Sequence, residues 1–134
     1  MNGNLSLNFQ SPIESMMLTF EDNGKVAYAY LKDNGNIIGE VWLYNYTNIT
    51  TPEWDNAKNA PFLNPEEYIN MQGIMKKSIT LHDVLVNWEQ DGNDLVAYIY
   101  ILENLYGVIG PEDKPGYARF AIKNGPLAKV MAIN

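Results

Sequence analysis

Met16-Met17-Leu18-Thr19-Phe20-Glu21, Val26-Ala27-Tyr28-Ala29-Tyr30-Leu31 and Ile37-Ile38-Gly39-Glu40-Val41-Trp42-Leu43-Tyr44 are three apolar runs separated by two short polar breaks. In the first run Met16, Leu18 and Phe20 alternate with Met17, Thr19 and Glu21, the period of two that a half-buried strand requires. Asp22-Asn23-Gly24 and Asp33-Asn34-Gly35-Asn36 supply residues that tolerate positive φ, so both breaks read as tight turns. The middle run is apolar on both faces and reads as a central strand. The stretch therefore predicts an antiparallel meander over residues 15–45. Its core face carries Met16, Leu18 and Phe20, with Ile37, Val41 and Leu43 as their counterpart. Trp42 falls on the other face with Glu40 and Tyr44, where an aromatic at strand spacing reads as packing.

A looser copy of this pattern appears further along. Phe20-Glu21-Asp22-Asn23-Gly24 followed by Val26 to Leu31 is echoed by Trp88-Glu89-Gln90-Asp91-Gly92 followed by Val96-Ala97-Tyr98-Ile99-Tyr100-Ile101. Ile38-Gly39 finds an echo in Ile109-Gly110, at a displacement of about seventy residues. Residues 80–89 match helical and strand spacing equally well, and the echo favours a strand. Residues 95–102 are the most hydrophobic run and read as the central strand of the second half. Asn104 and Gly107 then allow a bend. The segment 108–116, with Pro111 and Pro115, reads as a rigid exposed turn, and 117–122 as another alternating strand.

The remaining segments are less regular. Leu5, Leu7 and Phe9 alternate within an Asn-rich start that is either a frayed arm or an edge strand. Residues 46–64 hold no period and form a long connection. Asn64 as N-cap, Pro65 at the first helical position and the acids Glu66 and Glu67 predict a short helix over 65–71, ended by Gly73. Leu127, Val130 and Ile133 finish as a short strand or one helical turn. The fold class is mainly β: one domain over 1–134, an antiparallel sandwich or open barrel of about six to eight strands from two related meanders, with one short helix. A helix at 80–89 would make it α+β. Leu18, Phe20, Val26, Leu43, Val96, Ile99 and Phe120 are the expected core.

Composition narrows the functional classes. The 134 residues suffice to bury a core without disulfides or metal, and the chain has no cysteine, which excludes a thiolate metal site and a cysteine nucleophile. The formal charge of −7, with no cluster among nine Lys and Arg, argues against nucleic acid and for a basic partner. Residues 79–113 carry seven acids and no Lys or Arg, whereas 114–134 carry four bases and no acid. The start lacks a basic n-region, and no run reaches the ~20 apolar residues of a membrane span, so the expectation is a cytoplasmic protein without membrane contact.

Candidate chemistry is sparse. His82 has no second histidine or cysteine to share a metal and reads as a structural residue beside Val84. Asp91-Gly92-Asn93-Asp94 lacks the spacing of a calcium loop and reads as a hairpin turn. Gly107-Val108-Ile109-Gly110 lacks the lysine of a phosphate loop. Asn45-Tyr46-Thr47 and Asn48-Ile49-Thr50 match the glycosylation acceptor pattern and read as loop composition. No catalytic residue, metal ligand or cofactor site emerges. Trp54 between Glu53 and Asp55, followed by Glu66 and Glu67, is the candidate partner-binding surface; the indole is either a lid over the core or an exposed contact. Tyr28, Tyr30, Tyr98 and Tyr100 project in same-face pairs and offer the alternative of a tyrosine-lined ligand groove.

Gly24-Lys25-Val26-Ala27-Tyr28-Ala29-Tyr30-Leu31 and Gly39-Glu40-Val41-Trp42-Leu43-Tyr44-Asn45, with the acidic make-up, resemble the small bacterial immunity proteins that neutralise a cognate toxin, including those of contact-dependent growth inhibition. The resemblance covers about the first third of the chain. It implies a non-catalytic binding protein that masks a basic toxin surface, and it transfers no individual residue role.

Overall fold

Over residues 4–131, which the computed structural model describes, nine strands form two sheets. β1 (Leu5–Gln10), β2 (Met16–Asp22), β3 (Val26–Asp33) and β4 (Asn36–Asn45) pair antiparallel in chain order. β5 (Val84–Asp91), β6 (Asp94–Ile101), β7 (Asn104–Ile109), β8 (Tyr117–Ala118) and β9 (Lys129–Val130) form the second sheet, antiparallel except between β8 and β9. This is the mainly β sandwich expected, with more strands and without barrel closure.

The turns follow local chemistry where the sequence supplies it. Asn34 and Gly35 take φ of 51° and 84° between β3 and β4, and the Asp22 carboxylate accepts from the Gly24 amide between β2 and β3. The β6–β7 turn lies elsewhere than expected. Leu102 and Glu103, not Asn104 and Gly107, make the bend at φ of 51° and 69°, a region that side chains other than Asn and Asp seldom adopt.

The second meander repeats the first in strand spacing and in one of its two bulges. β2, β3 and β4 begin at 16, 26 and 36, and β5, β6 and β7 at 84, 94 and 104, a constant displacement of 68. Both third strands carry a bulge at the equivalent place. Leu31 faces Gly39 and Lys32 faces Ile37, leaving Ile38 unpaired, while Ile99 faces Gly107 and Tyr100 faces Leu105, leaving Tyr106 unpaired. Gly39 thus corresponds to Gly107, rather than to Gly110.

Between the sheets Leu18, Phe20, Ala29, Leu31, Val41 and Leu43 meet Ala97, Ile99, Ile101 and Ile109, all fully buried. Of the expected core residues, Leu18, Phe20, Val26, Leu43 and Ile99 are buried, whereas Val96 and Phe120 are only half-buried. Strand alternation explains Val96: with Leu95, Ala97, Ile99 and Ile101 inward, Val96 faces out. Phe120 packs at the rim, its ring edge-on to Tyr106 at 5.3 Å. A second bulge, which skips Leu43 between the Ala27–Tyr44 and Tyr28–Trp42 pairs, returns Tyr44 to the core side, where it meets Tyr106. Ile37 is 42% exposed.

Three local expectations are not met. Residues 65–71 form no regular helix. They make 3-10 turns at Glu66–Tyr68 and Met71–Gly73, because Ile69 between them is extended and bridges Ala121. Within 80–89 the strand starts only at Val84. Thr80 and Asp83 close a capping box around the 3-10 turn Leu81–Asp83, which leaves His82 exposed rather than on a strand face. The alternating segment 117–122 pairs only at Tyr117–Ala118. The segment 110–116 is no free turn either. It bonds along the outer edge of β4, with Glu112 N donating to Ile38 O, Glu40 N to Asp113 O and Gly116 N to Glu40 O. At the two ends of the chain, β1 is an edge strand and β9 a short strand, while Ile133 lies outside the described residues.

Candidate binding surface

The long connection between β4 and β5 is held by one buried asparagine. Asn45 accepts from the Trp42 indole at 2.7 Å and from Asn64 N at 3.0 Å, and donates to Asn64 O at 2.8 Å. An amide side chain that binds both backbone groups of one residue acts as a short piece of strand. Its own carbonyl accepts from Met75 N, so two distant points of the connection are fixed to the end of β4. Asn45 has no solvent exposure, which agrees with its acceptor pattern being structural.

This connection roofs the outer face of the first meander. Tyr28 and Trp42, register partners on that face, are buried, and the Tyr28 hydroxyl donates to Phe62 O at 2.7 Å. Tyr28 and Tyr30 stack with centroids 6.0 Å apart beside a cleft of about 260 Å³ that Glu21, Asn23 and Pro61 also line. Burial, then the charges of Glu21 and Glu40, pushes the Tyr30 hydroxyl up to about 12.

Trp54 is half-buried and packs edge-on against Tyr68, centroids 5.5 Å apart. The structure therefore brings the tryptophan loop against the turn that opens with Glu66 and Glu67. The five candidates differ in charge state of their surroundings. Glu53 turns toward Lys25 at 3.8 Å, and Glu67 pairs with Lys123, whose ammonium lies over the Tyr68 ring at 5.0 Å and is raised by that carboxylate. Glu66 accepts from the Asn48 amide at 2.8 Å and Asp55 is exposed; among the described residues neither has an ion pair. Two acids without an ion pair thus stand near a half-buried aromatic pair.

The four tyrosines do form same-face pairs, but on different sheets, so they line no common groove. Tyr100 instead borders a groove of about 680 Å³ with His82, Asp83, Leu85, Leu102 and Glu103 at one end of the second sheet. Sequence reasoning did not single out this groove. Its signal was the acid-only run 79–113, in which Asp83, Glu89, Asp91, Asp94 and Glu103 fall on or beside the second sheet. Among the described residues no group of three or more His, Cys, Asp or Glu is placed to hold a metal ion, and no helix is long and apolar enough to cross a membrane. No family model, curated protein or solved structure matches this chain.

Proposed function

We propose that the chain is a non-catalytic acidic binding protein, an immunity protein that neutralises a cognate bacterial toxin by masking a basic surface. The observation that carries this reading is the excess of unpaired carboxylates. Among the described residues only Glu53 and Glu67 form ion pairs, so most of the acids remain to attract a cation. Acids at the rim speed encounter with a basic surface, and a half-buried indole supplies affinity once desolvated. The decisive experiment titrates the purified protein into a toxin domain captured with it from the source cells or found encoded by a neighbouring gene. Stoichiometric loss of toxin activity is expected, with association slowed by salt; a toxin that stays active at saturation overturns the reading.

A second reading, a small-ligand-binding β domain, is supported by the cleft beside the stacked Tyr28 and Tyr30. Saturable quenching of tyrosine fluorescence by a small molecule, lost in Tyr30→Ala, would favour it.

A further inference from the structure

The two meanders match in strand spacing and bulge position, yet they differ in what lies over their outer faces. The first is roofed by the chain itself, as Tyr28 and Trp42 show. In the second, Tyr28 corresponds to Val96 and Tyr30 to Tyr98, and no residue of this row is buried. Leu85 is 58% exposed and Tyr117 38%, with Tyr98, Tyr100, Leu105 and Val108 half-exposed between them. Among the described residues the hydroxyls of Tyr98 and Tyr100 have no hydrogen bond. An aromatic and aliphatic sheet face of this kind lacks the cover that the same fold gives its twin.

Charge says what would cover it. Asp91 and Asp94 flank the β5–β6 turn, Glu103 sits in the β6–β7 turn, Asp83 precedes β5, and Glu89 lies on the face itself. None of these acids forms an ion pair among the described residues. Lys77 acts on Asp83 at one end of the face without pairing with it, and at the far edge Lys129 lies over the Tyr117 ring at 5.4 Å. A second copy of this acidic face would meet its own charges, and a nucleic acid would bring phosphates to carboxylates.

We propose that the outer face of the second meander, centred on Tyr98 and Tyr100, is the docking surface for a protein whose contacting side carries Lys or Arg around apolar residues. The inference rests on the basic-partner reading above and assigns where that partner lands. The groove bordered by Asp83, Leu85, Tyr100 and Glu103 receives a long cationic side chain, its stem on Leu85 and Tyr100 and its charge between the two carboxylates. Apolar residues of the partner cover Tyr98 and Val108.

The test follows backbone amide shifts of the full chain on titration with a soluble peptide of alternating Lys and Leu, and with a Lys and Gly peptide of equal charge. Saturable shifts at Leu85, Tyr98, Tyr100 and Leu105 are expected, with the Gly peptide bound about tenfold more weakly. Leu85→Thr and Tyr100→Thr, two strand-compatible changes on the open face, should each weaken the Leu peptide several-fold without lowering the thermal midpoint. Shifts confined to 53–67 overturn this placement and leave the basic-partner reading intact. Equal binding of both peptides, or shifts scattered over the surface, overturns it as charge adhesion alone. Broadening of the same face with protein concentration, without peptide, identifies a second copy as the occupant and overturns it. No response to either peptide overturns the placement together with the basic partner.

Discussion

Gly39 and Gly107 occupy the same position after the same bulge in two meanders, and each packs against the opposite half of the sandwich with no room for a Cβ. A Cβ on Gly39 would lie 2.9 Å from Gly110 O and from Ile109 Cγ2, and one on Gly107 would lie 2.6 Å from Leu43 Cδ2. The absence of a side chain at both places lets β4 and β7 approach across the core.

The two contacts differ in how easily they yield. Gly39 faces a backbone carbonyl, which cannot move without the segment bonded along β4, whereas Gly107 faces the end of a flexible leucine. Gly39→Ala is expected to cost about 2–3 kcal/mol and Gly107→Ala about 1 kcal/mol. Urea unfolding of both variants checks the order; equal losses would mean that Leu43 is as immovable as the backbone.

Asn45 organises the connection over the first meander through three side-chain bonds, all buried. Asn45→Ala leaves the Trp42 indole and both backbone groups of Asn64 without partners, and should cost about 3 kcal/mol or more. Amide exchange should quicken at 61–75 before it does in β2 or β3. Uniform exchange across both regions would show that the connection and the sheet open together.

Alkaline stability depends on the tyrosines around Asp22. Tyr44 and Tyr46 donate to its Oδ2 at 2.5 Å and 2.6 Å. Burial first, then these bonds, pushes Tyr46 up to about 12 and Tyr44 further in the same direction from the usual 10.0. With folded values raised, the native state keeps its protons longer than the unfolded chain. The associated stability is therefore complete below pH 10 and is lost as pH rises through about 12. Urea midpoints should fall across that window, and less steeply in Tyr46→Phe. Identical slopes would remove Tyr46 from the linkage.

Trp54 stands between the two roles its sequence context allows, because it is half-buried and leans on Tyr68. Trp54→Ala should lower the thermal midpoint modestly and, where the half-exposed indole meets the partner, weaken binding by about 2 kcal/mol. Calorimetry of stability and affinity on the same variant separates these effects. Unchanged affinity in a destabilised variant takes the loop out of the interface.

The sequence by itself determined the strands whose turns carry their own chemistry. Asp22-Asn23-Gly24, Asn34-Gly35 and Gly92 define three hairpins because their side chains or missing Cβ favour the bend wherever it sits. Period-two alternation placed Leu18, Phe20 and Leu43 inside for the same local reason. The candidate site was legible only in part: Trp54 and the acids Glu66 and Glu67 stood out as residue types, but not that Tyr68 would join them or that Lys25 and Lys123 would neutralise two carboxylates. Tertiary structure decided what local preference leaves balanced. Ile69 gave up a helix to bridge Ala121, and Leu102 and Glu103 accepted positive φ. Val26 is buried while Val96 is half-open, because the connection tied down by Asn45 roofs only one of two matching faces. Such choices rest on contacts between residues far apart in the chain, whose free energy no local window contains.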